Sequence, residues 1–453
     1  MTAERQDDLT TQTVELLREL IRNACVNDGS ADSGHEERSA ATLERFFAGS
    51  GLALERIEPH PGRVSLIAEL PGTDPAGPSL MLLGHTDVVP PGRGWTHDPF
   101  AADIVDTEGG PVVWGRGALD MLHLTAAYAV VIRALAISGY PLRGRLVFAG
   151  VADEESGGHH GAEWIALNRP DLVAVDGVLS ETGGIPLAID GEVRGVTVTV
   201  GEKGMSARRL RVAGHPRHAS TPWGADNAVI TAAAAISQIA AHAAPAQIDD
   251  LWPQYVAALD VPDELRAALV DPERIDGALE QLGPIAGLAH AVTHTTYSPD
   301  IVRGGDKLNV VPQSAYVDLD IRTMPGVSAA DVDAHLRAAL GPLADRVTIE
   351  PLGEGESVAS RSPLATPLYE ALADAVAAAY PGAHAVPVIA PGGADSRYFR
   401  HRGIPAYGFG MFSPRWTHGD FRHLVHSVDE RIDVETVDLA VHAIDRVVRQ
   451  VLA

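Results

Sequence analysis

The order of hydrophobic periodicities along this chain of 453 residues predicts an α/β domain interrupted by an inserted α+β domain. Three observations carry that expectation. Up to about residue 192, apolar strand-like runs alternate with helical stretches; from 193 to 353 short alternating strands dominate; from 354 to 453 the first style returns. The length itself exceeds what one hydrophobic core usually supports, so a second unit is expected on size alone.

Taken in order, "TVELLRELIRNACV" places Val14, Leu16, Leu17, Leu20, Ile21 and Val26 at helical spacing, and "EERSAATLERFFAGSG" repeats the pattern before a glycine stop. "RVSLIAEL" and "SLMLLGHTD" read as strands, and "HLTAAYAVVIRALAISG" as a long Ala-rich helix ending at Gly139. "RGRLVFAGVADEE" and "VDGVLSETGG" share one form, an apolar strand running into acid. In the middle portion "GVTVTVGEKGMSARRLRVAG" alternates as antiparallel strands do, and a helix follows through "NAVITAAAAISQIAAH". After an irregular, partly helical stretch from about 244 to 290, strands are expected in "HAVTHTTYSPDIV", "KLNVVPQSAYVDLDIRTM" and "RVTIEPL", with a helix at "SAADVDAHLRAAL". The helices "PLYEALADAVAAAY" and "VETVDLAVHAIDRVVRQVL" belong to the returning α/β part.

Bulk properties narrow the function. A formal net charge of -25 repels phosphate backbones and anionic bilayers, which argues against nucleic acid or membrane as the main partner. Cys25 is the only cysteine, so no intrachain disulfide and no Cys-rich zinc module can form; a metal would have to be held by His and carboxylate. The polar start "MTAERQDDLTTQTVELLREL" lacks the order of a secretory signal, and a cytoplasmic location is expected.

Chemistry collects at strand ends. Side chains two apart on a strand share a face, so His85 and Asp87 in "LLGHTDVV" can point the same way, Asp87 orienting the imidazole for a metal; a solvated polar strand end is the plainer alternative. Asp120 in "WGRGALDMLHL" sits between a Gly-rich turn and a helix, where it could serve as a helix cap. Asp153, Glu154 and Glu155 crowd together after an apolar strand, and their repulsion would be relieved by a cation or a shared proton. Glu181 ends a matching strand, and His426 in "HLVHSVDERI" precedes the last helix. Carboxyl ends of strands are where α/β sheets build ligand sites.

In order, "GHTDVVP", "GRGALDM", "ADEESGG", "SETGG", "GHPRHASTP", "LNVVP", "DIRTMPG", "GGADSRYF" and "HSVDER" resemble the co-catalytic zinc peptidase family of carboxypeptidase G, aminoacylase, acetylornithine deacetylase and succinyl-diaminopimelate desuccinylase, in its carboxypeptidase S-like branch. The resemblance implies a three-layer α/β catalytic domain of the phosphorylase/hydrolase-like type with a ferredoxin-like α+β lid, which also serves for dimerisation. It implies that Asp120 bridges two zinc ions per subunit, with His85 and Glu181 completing one site and Glu155 and His426 the other; cobalt or manganese would also suit such ligands. Glu154 becomes the general base and Asp87 the partner of His85. On the lid, His218 is the group that reaches toward the developing oxyanion, while Asn309 and Arg322 match positions that contact the substrate; Arg397 is a second candidate for its carboxylate.

The implied activity is hydrolysis of an amide or peptide bond in a small N-acyl amino acid or peptide with a free carboxylate, by a homodimer. A carbamoyl or deacetylase substrate on the same site, or an inactive peptide-binding relative, are the alternatives. Two departures stand out: Leu122 and His123 follow Asp120 where the family commonly has Lys and Gly, and Ala394 replaces a hydroxyl residue.

Overall fold

The computed structural model describes residues 3–353 and 356–453, with Met1, Thr2, Glu354 and Gly355 outside the described residues. A ten-stranded sheet forms the larger layer. From one edge its order is Ala53–His60, Arg63–Leu70, Arg145–Val151, Ser79–His85, Gly177–Ser180, Ala406–Gly408 and Glu192–Glu202. The strands Arg145–Val151, Ser79–His85 and Gly177–Ser180 run parallel side by side. Both their faces are covered, which is why they read as continuous apolar runs rather than alternating ones.

On one face lies the helix Leu122–Ser138, whose small residues let it sit close to the sheet and be buried almost all round. It ends where Gly139 takes the left-handed conformation, φ 58°. The last helix, Val434–Val451, packs beside it, started by the Asp433 carboxylate accepting from Thr436 N. Leu80, Leu82, Leu146, Tyr128 and Ile444 belong to the core between these layers. A second core on the opposite face gathers Met81, Leu83, Val147, Ile165 and Phe399. The sheet is thus sandwiched, as the alternating pattern predicts.

The smaller unit is a five-stranded sheet built on Ser314–Thr323 and Arg208–Ala213, covered by the helices Ala228–Ala241 and Ala329–Leu340. The second helix opens with a capping box between Ser328 and Asp331.

Three details differ from the expectation. The strand Glu192–Glu202 remains in the large sheet, pairing with His384–Ala390, so the change of sheet falls at Lys203–Gly204 rather than near 193. The helical stretch after residue 250 packs through Trp252, Tyr255 and Leu269 on Leu187 and Val386, which are large-sheet residues, because its apolar side chains find their partners there. Within "HAVTHTTYSPDIV" the helix Ala286–Thr293 takes the first residues and the strand begins at Thr296; within "KLNVVPQSAYVDLDIRTM" Pro312 can donate no ladder hydrogen bond, and the strand begins at Ser314. The second expected junction, at 353–354, abuts residues outside the described set. Among the described residues no helix is long and apolar enough to cross a membrane.

Close contact between the His85 strand and its covering helix places the site. At Gly84 a methyl group would lie 2.5 Å from Thr125 Oγ1 and 3.2 Å from its Cα, and that same hydroxyl donates to the His85 carbonyl at 2.8 Å. Gly84→Ala should therefore lower stability by about 1–3 kcal/mol. A urea midpoint unchanged in the variant would show that the helix can give way.

Candidate metal centre

Three neighbouring parallel strands each end in a polar side chain. His85 closes Ser79–His85, Glu154 and Glu155 follow Arg145–Val151, and Glu181 follows Gly177–Ser180. Asp120 stands just ahead of the helix Leu122–Ser138, and His426 comes in after the helix His418–Leu424. The Asp120–Met121 peptide is cis.

Asp120 is the centre of the arrangement. Its Oδ1 lies 3.3 Å from His85 Nε2, and its Oδ2 lies 3.1 Å from His426 Nε2. Glu181 Oε2 is 3.9 Å from His85 Nε2, and Glu155 Oε2 is 3.2 Å from His426 Nε2. Two groups therefore form around one shared carboxylate, His85 with Glu181 and His426 with Glu155. Glu154 joins His85 and Glu181 within ligand distance, and Glu155 joins His85 and Asp120. All five residues assigned by resemblance as ligands, together with Glu154, are thus side by side.

The electrostatics are those of a place made for positive charge. Burial, then the charges of Asp395, Glu155 and Asp120, pushes Glu154 well above the usual carboxylate range, with His85 opposing. Burial and the charges of Asp120 and Glu154 do the same to Glu181. Asp120 is different: burial works against its ionised form, yet hydrogen bonds from His426 and His85 hold it well below its ordinary value. His426 is raised to about 10 by its hydrogen bonds to Asp120 and Glu155. For His85 burial opposes the proton, but Asp120, Glu181 and Glu154 outweigh it and raise the imidazole well above the usual value. The two imidazoles are the groups among these acids that can carry positive charge, and no Lys or Arg stands among the cluster residues. Four carboxylates and two imidazoles, all capable of offering a lone pair, fit a pair of divalent cations.

The residues that hold the cluster include several the sequence reading passed over. The Asp87 carboxylate lies 3.7 Å from His85 Nδ1, and the hydrogen bond to that nitrogen is accepted by the Asp87 backbone carbonyl at 2.9 Å. Carbonyls serve as well as carboxylates in orienting a ligand imidazole. The carboxylate itself accepts from the backbone N–H of Glu154 (3.2 Å) and Glu155 (3.1 Å) and from Asn27 Nδ2 (2.9 Å). Behind it Arg63 is ion-paired to Glu36 at 2.7 Å and to Asp153 at 3.6 Å, all three buried. On the other side the buried Glu430 accepts from Leu119 N (2.8 Å) and Asp120 N (3.0 Å) and pairs with Arg116, which also donates to the His426 carbonyl. The signal for Glu430 was present in "HSVDERI", where an acid followed His426; nothing in "VNDGS" marks Asn27 as more than a turn residue.

A cavity of about 360 Å³ opens beside the cluster, lined by Asp120, Glu154, Glu155, Glu181 and His426 and by apolar side chains. His123 is buried in its wall, facing the Phe412 ring at 5.9 Å. Burial pushes this histidine down to about 4, so it is neutral at pH 7. The other candidates are elsewhere. His218 and Asn309 are exposed on the small-sheet unit, on adjoining segments joined by Ala219 N donating to the Asn309 carbonyl at 3.0 Å. Arg322 is held in a fork by Asp320 at 2.7 and 2.8 Å. Arg397 donates to the carbonyls of Gly157 and Ala394 and to Tyr398 Oη. Ala394 N donates to the buried Glu202 carboxylate.

Residues 81–450 match the model of Peptidase family M20/M25/M40. The chain belongs to that family. Among curated relatives this M20 chain is 29% identical over 404 residues to aminoacylase-1 of Mus musculus, covering 88% of this chain and 86% of the relative. It is 28% identical over 436 residues to succinyl-diaminopimelate desuccinylase of Phenylobacterium zucineum (strain HLK1), covering 94% of each. An M20 family metallo-carboxypeptidase from Sulfolobus solfataricus superposes with a TM-score of 0.70 at 18% identity, over 97% of this chain and 99% of that one, and so shares the fold. The chain is accordingly an enzyme of the M20 metallohydrolase class, with a catalytic unit and a second, smaller unit.

Because Asp120 and Glu155 raise His426 to about 10 and the neighbouring acids raise His85 above its ordinary value, a divalent cation must compete with protons to bind. Metal uptake at pH 7 should release protons, and affinity should fall as pH falls. Calorimetric titrations in buffers of different ionisation enthalpy check this; heats that do not depend on the buffer would show that no proton leaves.

Proposed function

We propose that this M20 chain hydrolyses the amide or peptide bond of a small N-acyl amino acid or short peptide bearing a free carboxylate, at a centre of two zinc ions. The observation that carries the reading is the sharing of Asp120 between His85 with Glu181 and His426 with Glu155, with Glu154 alongside. Cobalt or manganese would suit the same donors. When bound, the metals polarise the amide carbonyl and make water more acidic. Glu154 takes the proton from the attacking water and passes it to the leaving amine, so that one carboxylate acts first as base and then as acid. Its raised affinity for protons suits a group that must carry one through the reaction. Asp87, through its carbonyl, fixes the imidazole of His85, and through its carboxylate fixes the backbone of Glu154 and Glu155. The inactive-relative alternative is disfavoured by the full complement of these residues.

The small-sheet unit is read as the lid. His218 would stabilise the oxyanion and Asn309 and Arg322 would contact substrate, all three from outside the cavity lining, which suits a closing movement or delivery by a second subunit. A homodimer would form through the apolar surface of this unit. Trp223 is 94% exposed, Leu308 100% and Ile230 68%, with Val302 and Val310 also uncovered, and Val229 adjoins Gly304 so that helix and edge strand make one face. A cytoplasmic setting suits the lone cysteine.

Glu154→Ala should retain two metal ions per chain while kcat on a panel of N-acyl amino acids and dipeptides drops by at least about a hundredfold. Full activity in that variant would remove Glu154 from the mechanism; loss of metal along with activity would make it a ligand instead. Ile230→Glu combined with Val302→Glu should sediment as a monomer where the unaltered protein is a dimer. A wild type that sediments at the 47.7 kDa of a single chain would dispose of the dimer.

A further inference from the structure

A substrate carboxylate needs a partner, and the two arginines expected to meet it are engaged within the protein. Arg322 is forked on Asp320, and Arg397 is spent on two carbonyls and a tyrosine hydroxyl. A third arginine stands differently. The short helix His418–Leu424 turns one face to the cavity, with His418, Phe421, Arg422 and Val425 at helical spacing, and His426 follows directly. Among the described residues lining the cavity Arg422 is the one arginine, and there is no lysine.

The side chain of Arg422 has no ion pair and no hydrogen bond to any described residue, in a chain with 60 acidic and 35 basic residues. It is exposed yet lines the cavity, which puts it at the mouth. The cavity walls carry Trp252, Tyr255, Val292 and Phe412, with Asp249 also in the lining and the acidic cluster at one side. Burial pushes the guanidinium below its usual value, and no carboxylate offsets the cost. An anion arriving there would be met by a planar five-donor fork in surroundings that compete weakly for its hydrogen bonds.

We propose that Arg422 binds a carboxylate of the substrate at the mouth of the cavity, while the apolar walls take the hydrocarbon beside it. The inference rests on the hydrolase reading above. The carboxylate can belong to the amino-acid part or to the acyl part, and the test separates the two. The metal-loaded wild type and Arg422→Met, which keeps an apolar stem and loses the charge, are compared on an N-acyl amino acid, its carboxamide, and the same pair with an acyl chain ending in a second carboxylate.

The wild type should favour the carboxylate at one of the two positions by about tenfold or more in kcat/KM. Arg422→Met should lose that preference while its kcat/KM on the uncharged member stays within about twofold of wild type. Arg422→Lys should recover part of the preference, since a point charge replaces a fork. A wild type without preference, a variant that keeps it, or a variant that loses the same factor on every member overturns the anchor, and the persisting turnover leaves the hydrolase reading intact. If the metal-loaded wild type cleaves no member, the N-acyl amino acid part of that reading fails. Calorimetric titration of the same compounds into both proteins then reads the same discrimination as binding, and equal affinities overturn the anchor as well.

Discussion

Everything at the centre of this molecule is arranged around the repulsion among Asp120, Glu154, Glu155 and Glu181. Four carboxylates in one largely buried place would drive the strand ends apart or take up protons unless positive charge is supplied. The two imidazoles can supply part of it, and Asp120, which both of them touch, is the one acid of the four held below its ordinary value. The sheet tolerates the arrangement because Glu154, Glu155 and Glu181 follow strands that are themselves deeply buried and hydrogen-bonded on both sides, while Asp120 is set at the start of the helix packed on them. A rigid scaffold thus holds in place a set of charges that would not assemble by itself.

Two buried arginines, with three carboxylate partners between them, brace this arrangement from opposite sides. Arg63 with Glu36 and Asp153 stands behind the Glu154 and Glu155 turn, and Arg116 with Glu430 stands behind Asp120 and His426. Buried pairs of this kind are poor sources of net stability, because removing two charges from water offsets most of their attraction. Their use here is positional. Each carboxylate also accepts from backbone N–H groups of the loops that carry the cluster, so the loop conformation and the pair depend on one another.

Much of this was legible in the sequence. The strand-then-acid form of "ADEESGG" and "SETGG" marked two of the three delivering strands, and the motif order pointed to the ligand set. Less visible was how Asp87 works. Side chains two apart on a strand share a face, which favours a carboxylate-to-imidazole contact, but the chain turns after His85 and brings the Asp87 carbonyl to the ring instead. Asn27, Glu36 and Arg63 lie before the first quoted motif and are joined to the centre only by folding, with no local periodicity to mark them. Arg422 was passed over for a similar reason: its orientation depends on a helix of seven residues whose facing cavity exists only in the tertiary structure.

The helical stretch after residue 250 is interposed in sequence between strands of the small sheet, yet it rests on the large one. The chain therefore leaves the small unit after the helix Ala228–Ala241, builds the Trp252 and Tyr255 wall of the cavity, and returns at Thr296. That detour uncouples two properties that a simple inserted lid would join. The wall packs against Leu187 and Val386, so this side of the cavity belongs to the same large-sheet unit as the acidic cluster. Loops on the small unit can then change in length or sequence without altering this wall of the pocket, and residues of the wall can change without altering the small sheet.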